Sequence, residues 1–220
     1  MIKSHYPSLT TFVCGVLLGM NAAGNAQEWT RFRGPNGTGI GLAKGIPSQF
    51  TVDDADWRVA LKGEGHSSPV LWGGRVFVTG SNRAKGTFIV QCLRAKDGSE
   101  AWSVSRPQKS YRMHQYNHLT SSTPATDGKQ LVVLVSEPDA HTVFAVDLEG
   151  KKLWERKFET IISNHGGGVS PIFYGDRVIL AGDEESRSFL TALDAASGNV
   201  LWKTDRANVK TAFSTPCRFV

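Results

Sequence analysis

Ala145-Val-Asp-Leu-Glu-Gly150-Lys-Lys-Leu-Trp154 is one of three related stretches in this chain of 220 residues. The other two are Cys92-Leu-Arg-Ala-Lys-Asp-Gly98-Ser-Glu-Ala-Trp102 and Ala192-Leu-Asp-Ala-Ala-Ser-Gly198-Asn-Val-Leu-Trp202. Each joins the apolar end of one strand to a tight glycine turn, and then to a second strand that carries tryptophan. Because the copies lie about 50 residues apart, they predict a repeat of one β-unit.

A serine or threonine followed by proline marks the start of each unit. The pairs are Ser68-Pro69, Thr123-Pro124, Ser170-Pro171 and, near the end of the chain, Thr215-Pro216. Two marks that share one period are typical of β-propellers, in which four-stranded blades stack around a channel. We therefore expect an all-β chain with about three blades plus one strand. Because a propeller closes with at least four blades, we also expect the N-terminal part of a longer protein or a truncated reading frame.

Each unit is predicted to contain four strands, because apolar runs alternate with Gly-containing turns that accept a positive φ. Several runs, such as residues 131–135, are apolar without interruption, which indicates strands buried on both faces. The predicted strands are 67–72, 75–81, 87–95 and 99–104 in the first unit, 121–126, 130–136, 141–148 and 152–158 in the second, and 168–174, 177–182, 188–194 and 199–204 in the third.

The repeated residues have predicted structural roles. The tryptophan of each unit is expected on the outermost strand, where it covers the gap between neighbouring blades. An aspartate before the turn glycine is expected to accept turn amide hydrogens, and Arg94 breaks this pattern, so the first turn is expected to be less well held. The structural repeat set is Trp57, Trp102, Trp154, Trp202, Gly98, Gly150, Gly198, Asp147 and Asp194.

The chain is predicted to have three regions. Residues 1–26 have the pattern of a signal peptide, with Lys3 before an apolar core, which places the mature protein in the periplasm or outside the cell. A buried N-terminal helix is the alternative. Residues 27–54 are rich in Gly and Pro and predict an irregular segment. The propeller follows at 55–220, with a lone last strand at 55–61 and units at about 62–105, 119–158, 166–205 and 209–220.

Composition excludes two classes of partner. The net charge of +5 comes from Lys and Arg that are spread along the chain, so we expect no nucleic-acid binding. The apolar core near the N-terminus, residues 12–20, is too short to span a bilayer, so we expect no transmembrane segment in the mature chain.

The pattern Ala-x-Asp-x-x-x-Gly-x-x-x-Trp with an earlier Ser/Thr-Pro resembles the repeat of quinoprotein-like (PQQ-repeat) propellers. That superfamily includes the pyrroloquinoline-quinone dehydrogenases and the propeller lipoprotein of the outer-membrane β-barrel assembly machinery. The opening Trp29-Thr-Arg-Phe-Arg-Gly34-Pro35 is similar to that of secreted PQQ-repeat propellers of planctomycetes and related bacteria. The resemblance covers residues 28–220 and implies a fold rather than an activity.

The dehydrogenases of this superfamily hold their quinone with Ca²⁺, Glu, Asn and Asp ligands, a catalytic Asp and often an adjacent Cys-Cys disulfide. This chain has no Cys-Cys pair and no acidic residue that matches a catalytic motif. We therefore expect no cofactor, no metal ligands and no catalytic residues. Cys92 and Cys217 replace apolar residues at strand positions, so both are expected to be buried thiols without a disulfide between them.

Three histidines precede first strands and form the main candidate binding site. His66, His118 and His165 stand just before the Ser/Thr-Pro marks. Since first strands line the channel of a propeller, equivalent positions converge at one channel mouth. Three imidazoles there suit a metal or an anionic ligand. The alternative is that they are polar loop residues that hydrogen-bond neighbouring blades.

The longest loop between units forms a second candidate, for contact with a partner protein or a polyanion. It is expected to project from one face, although a solvated loop without a partner is the alternative. Its candidate residues are Arg106, Lys109, Tyr111, Arg112, His114 and Tyr116.

Together these patterns predict an extracytoplasmic propeller that acts as a non-catalytic binding or scaffold module for a protein or small-ligand partner. A degenerate or incomplete PQQ-dependent oxidoreductase is the alternative. A third possibility is that the chain has no function alone, in which case unpaired strand edges predict poor solubility.

Overall fold

The computed structural model describes residues 27–35, 37–163, 165–184, 187–207 and 211–217. The predicted signal peptide at residues 1–26 lies outside the described residues. Within them, the regular structure consists of strands and one 3₁₀ turn, Val52–Asp54, capped by the Thr51 side chain. The all-β prediction is therefore confirmed.

The strands form three antiparallel four-stranded sheets, each built from consecutive strands of one repeat unit. This is the architecture of a partial β-propeller. The strands are β1 Val70–Trp72, β2 Arg75–Asn82, β3 Thr87–Arg94 and β4 Glu100–Pro107 in the first sheet, β5 Ala125–Thr126, β6 Gln130–Glu137, β7 Ala140–Asp147 and β8 Lys152–Glu159 in the second, and β9 Ile172–Tyr174, β10 Arg177–Gly182, β11 Ser188–Asp194 and β12 Val200–Arg206 in the third.

The first strand of each sheet is shorter than the sequence predicts, because the Ser/Thr-Pro pair bonds across units instead of within its own sheet. The Ser68 amide donates to Thr123 Oγ1 at 2.9 Å, and the Thr123 amide donates to Ser170 Oγ at 3.0 Å. Proline has no amide hydrogen, so each ladder begins only after it. The repeated hydroxyl is thus a link from one unit to the one before it.

The sheets stack face to face, and the core lies between them. Leu131, Val133 and Val135 of β6 pack toward the first sheet, whereas Val132 and Leu134 pack toward the third. All five are almost completely buried. The uninterrupted apolar run of β6 therefore reflects burial on both faces, as predicted.

Two repeat tryptophans, Trp102 and Trp154, cross to the turn of the next unit. The indole N–H of Trp102 donates to the Leu148 carbonyl at 2.7 Å, and that of Trp154 donates to the Ala195 carbonyl at 2.8 Å. The ring lies on the turn glycine, where an added Cβ at Gly198 would come within 2.4 Å of Trp154. Only glycine leaves room for the ring, and this explains why Gly and Trp recur together.

The turn aspartates accept amide hydrogens as predicted, but the first turn, where Arg94 stands in place of aspartate, differs from its prediction. Asp147 Oδ1 accepts the amides of Glu149 and Lys151, and Asp194 Oδ1 accepts that of Ser197. In the first unit Asp97 Oδ1 accepts the Ser99 amide at 2.9 Å, and Arg94 donates to Ser99 Oγ and to the Glu100 carbonyl. The first turn therefore keeps side-chain hydrogen bonds of its own, contrary to expectation.

The segment at 55–61 does not form the predicted lone strand, because no neighbouring strand lies beside it in the described part of the chain. Trp57 nevertheless docks as the other repeat tryptophans do. Its indole N–H donates to the Ala95 carbonyl at 2.8 Å and its ring lies on Gly98. Trp57 therefore covers the free face of the first unit.

The outer face of the third sheet is covered less completely. Trp202 is 39% exposed, whereas Trp154 at the equivalent position is 7% exposed. Residues 211–217 run along this face without forming a strand, and a cavity of about 570 Å³ separates them from side chains such as Ile179 and Leu190.

Candidate functional site

The three predicted histidines lie at one end of the units but in two separate pairs. His66 and His118 have ring centres 5.5 Å apart. His165 pairs instead with His114, at 5.8 Å. The side chain of Asn117 joins the pairs, because it accepts the His118 amide at 2.8 Å and donates to the His165 carbonyl.

The first pair belongs to the boundary between the first and second units. His118 is mostly buried, and its Nδ1 lies 3.2 Å from Thr120 Oγ1. Its Nε2 lies 3.9 Å from Glu64 Oε2. Burial, His66 and Arg83 lower the pKa of His118 below its usual 6.5, in that order, and Glu64 opposes them. The neutral imidazole is therefore favoured here.

The second pair lines an open cavity of about 330 Å³ between the long loop and the third unit. His114 and Tyr116 lie on one side, with ring centres 5.1 Å apart and planes tilted by 51°, and Phe213 also lines the cavity. Tyr116 is 79% exposed and Phe213 is 47% exposed. The remaining lining residues are Asn117, Ser121, His165 and Gly168. Exposed aromatic faces beside amide, hydroxyl and imidazole groups suit a ligand with both apolar and polar parts.

The long loop does not project freely, because it is fastened to the second and third units. Arg106 lies on β4 rather than in the loop, where it pairs with Glu155 and lies over the Phe144 ring. Lys109 forms an exposed ion pair with Asp139 at 3.0 Å.

The middle of this loop is also anchored. Tyr111 accepts the Gly167 amide at 3.4 Å, and burial raises its pKa. Of the six predicted contact residues, four are exposed, namely Lys109, Arg112, His114 and Tyr116, whereas Arg106 and Tyr111 are partly buried.

A buried polar group that sequence reasoning missed links the second and third units. His141 is 1% exposed, and its Nδ1 lies 3.0 Å from Ser136 Oγ. Its Nε2 lies 3.6 Å from Glu184 Oε1, and that carboxylate also accepts the Ser163 amide. Comparison of the repeats could have indicated this group, because the residue of the first unit that is equivalent to His141 is Phe88.

Gly167 allows this group to form. A Cβ at Gly167 would lie 2.0 Å from Ser136 Oγ and 3.7 Å from His141 Cε1. The chain of the third unit can therefore pass directly over the Ser136 and His141 side chains only without a side chain at this position. The group is enclosed, which makes it a link between units rather than a surface site.

The two described cysteines have different environments. Cys92 is buried as predicted, and burial raises the pKa of its thiol to about 11. Cys217 is exposed, contrary to prediction, because residues 211–217 lie at the less covered face of the third sheet. Both are free thiols.

The described residues do not fit the metal set of a quinone cofactor. Within the described ranges, no three His, Cys, Asp or Glu side chains are grouped so that they would hold a metal ion. Four of the tryptophans occupy repeat positions, three of them on outer strands, and Trp57, Trp102 and Trp154 dock on turns of the following unit. We therefore derive no redox step from this arrangement.

Comparisons with known proteins agree with the repeat. A family model described as "Outer membrane protein assembly factor BamB" matches residues 54–160 and 120–217. No curated protein matches the chain. None of the helices in the described residues is long and apolar enough to cross a bilayer.

The solved structures that match the chain are distant from it in sequence, at 14–18% identity. A europium-containing methanol dehydrogenase is 18% identical over 64% of this chain and 25% of its own, with a TM-score of 0.47. A quinohemoprotein alcohol dehydrogenase from Comamonas testosteroni is 18% identical over 65% of this chain and 21% of its own, with a TM-score of 0.47. BamB from Moraxella catarrhalis is 14% identical over 70% of this chain and 55% of its own, with a TM-score of 0.38. The chain thus spans about a fifth to a half of these proteins.

Proposed function

The chain belongs to the PQQ-repeat β-propeller family, whose matching model is described as an outer membrane protein assembly factor, and from this premise we propose that it is a non-catalytic, extracytoplasmic binding module. Its partner is a segment of another protein, held in the cavity between the long loop and the third unit. The alternative is a small ligand that has both apolar and polar parts. Membership of this family supports the extracytoplasmic location, and the cavity supports the proposed binding site.

One observation carries the proposal: two exposed aromatic rings, Tyr116 and Phe213, flank a cavity that also holds two imidazoles. Large exposed aromatic side chains around a concave surface are enriched at sites that bind protein segments, since they bury much apolar area with little loss of side-chain entropy. The anchored loop holds the Tyr116 ring in place before binding, and this lowers the entropic cost of association.

The polar groups at the cavity favour a segment that carries an acceptor. The Tyr116 amide donates to His114 Nδ1 at 3.3 Å, so Nδ1 is an acceptor and Nε2 is the ring nitrogen left to donate to a ligand. Asn117 is occupied by His118, Ser121 and the His165 carbonyl, and therefore positions the loop rather than the ligand. A carboxylate or backbone carbonyl beside an aromatic or proline side chain matches this lining.

Photocrosslinking tests the proposal. A benzophenone amino acid replaces Tyr116 in the expressed protein, and a matched replacement of Leu153, which is exposed on β8, serves as the control. We expect position 116 to capture one protein, identified by mass spectrometry, at a segment that position 153 does not capture.

Direct binding then measures the contribution of the ring. A synthetic peptide of the captured segment should bind the wild type, and Tyr116→Ala should weaken binding by about 10-fold or more, as for a central aromatic contact. Equal capture at 116 and 153, or equal affinity of wild type and Tyr116→Ala, would contradict the proposal.

A further inference from the structure

The cavity on the outer face of the third sheet has the size of a small-molecule site. Its volume is about 570 Å³, and sites for small molecules usually measure about 300–1,000 Å³. One wall is the sheet itself, whose apolar lining includes Ile179, Ala181 and Leu190, and a second wall is formed by residues 212 and 214–217. A concave, mainly apolar lining of this kind suits a ligand with an apolar body.

The second wall is fastened to the third unit at its start. The Ala212 amide donates to the Asp183 carbonyl at 3.1 Å, and the Thr211 hydroxyl donates to Glu184 Oε2 at 3.4 Å. The wall is therefore in place before a ligand enters, and this lowers the entropic cost of binding.

The lining also contains an ion pair with a buried carboxylate. Arg206 Nη1 lies 2.6 Å from Asp183 Oδ2, and the Asp183 side chain is only 4% exposed. The other carboxylate oxygen, Asp183 Oδ1, is buried and has no hydrogen-bond partner among the residues that the structure describes. Because a buried acceptor without a donor is costly, a ligand that brings a hydrogen-bond donor to Asp183 is favoured.

The charges of this pair favour a neutral ligand. The Arg206 guanidinium balances the Asp183 carboxylate, and both residues line the cavity. A cationic ligand would meet Arg206, an anionic ligand would meet Asp183, and either would lose its hydration on entering an apolar cavity. A neutral donor forms the hydrogen bond without these costs.

We infer that this cavity binds a neutral, mainly apolar small molecule that carries a hydroxyl or amide hydrogen, which it donates to Asp183 Oδ1. The site is separate from the Tyr116 cavity, because Phe213 lines that cavity whereas its neighbours Ala212 and Ser214 line this one. It does not depend on the binding of a protein segment there.

Protection of Cys217 from alkylation tests this inference. Cys217 is an exposed free thiol that lines the cavity, so a bound ligand should slow its reaction with iodoacetamide. The probes are 1-naphthalenemethanol and its methyl ether, which has the same apolar body but no hydrogen to donate. At a protein concentration at which the chain is monomeric, the alcohol should protect Cys217, and the ether should need about 10-fold higher concentration for equal protection.

Two matched variants locate the probe. Leu190→Trp should abolish protection, because the larger side chain occupies the cavity. Leu153→Trp, the same replacement at an exposed position on β8, should leave protection unchanged. Each alkylation rate is compared with that of the same variant without probe, and circular dichroism checks that each variant is folded.

Four results would overturn the inference. Neither probe protects Cys217, or the alcohol and the ether protect it equally. Protection survives Leu190→Trp but is lost in Tyr116→Ala, which would place the probe in the other cavity. Cys217 becomes protected as the protein concentration rises and the probes have no effect, which would assign this face to a second copy of the chain.

Discussion

Cys92 and Cys217 show how far one residue's environment follows from its repeat position. Cys92 pairs with Trp102 in the middle of the first sheet, where a neighbouring sheet covers it. Cys217 follows its proline as Val70 does in the first unit, but it lies at the less covered face. Sequence position alone predicted burial for both thiols. Cys217 is exposed because the segments around it do not cover it.

Alkylation at different pH values should separate the two thiols. Since the pKa of Cys92 is raised to about 11, its reactive thiolate is scarce at pH 8 and increases only as the pH approaches that value. With iodoacetamide at pH 8, peptide mapping should find Cys217 modified and Cys92 unmodified. Unfolding in guanidinium should make both react. Equal labelling of the two in the folded protein would show that Cys92 is accessible.

The histidines were identified from sequence, but their pairing was not. Their place before each Ser/Thr-Pro mark predicted one shared site, whereas the structure has His66 beside His118 and His165 beside His114. The pairing of His165 with His114 depends on the loop at 108–124, which is longer than the equivalent loop at 160–171, so the repeat does not predict where His114 lies.

At the scale of the element, one contact recurs: a tryptophan of one sheet on the turn glycine of the next. Each such contact buries an aromatic ring and satisfies a turn carbonyl. The burial of the ring and the hydrogen bond both act between units. These contacts therefore stabilise the stacking of the sheets rather than any single sheet.

Replacement of equivalent tryptophans should therefore have unequal effects. Trp154→Ala should lower the free energy of unfolding by about 3–5 kcal/mol, because it empties a buried site and removes one of the two hydrogen bonds to the Ala195 carbonyl, the other coming from Gln130. Trp202→Ala should cost about 1 kcal/mol or less, because that ring is already partly exposed. Urea titration of both variants measures the difference. Equal losses of unfolding free energy would mean that the contact of Trp154 with the Ala195 turn does not stabilise the protein.

Strand positions were predicted well for second, third and fourth strands, because the alternation of apolar runs with glycine turns is local. First strands were predicted too long. Their leading residues bond hydroxyls of the next unit, as the Ser68 amide does to Thr123, and such a contact across about 55 residues has no local signal.

At the scale of the whole molecule, the two outer sheets differ. Trp57 covers the first sheet, whereas Ile179 and Leu190 of the third sheet are half-buried. The equivalent residues of the second sheet, Val132 and Val143, are fully buried against the third. The third sheet therefore presents an apolar face beside a cavity, and such faces favour association.

The chain from residue 27 onward is therefore expected to self-associate as its concentration rises, as measured by sedimentation velocity. Leu190→Lys should reduce association because it places a charge on this face. Leu153→Lys, an exposed position on β8, should not. A chain that stays monomeric at high concentration, or an equal effect of both variants, would show that this face does not drive association.

The sequence by itself determined the repeat, the four-stranded units and the family, because each unit satisfies the same packing requirement with the same local residues. Tryptophan, turn glycine and Ser/Thr-Pro recur because the same contact is made at each junction. Only the tertiary structure decided which histidines meet, that the long loop is anchored, and that His141 and Glu184 link two units. These arrangements involve non-repeated residues far apart in the chain, and their contacts depend on packing that no local pattern specifies.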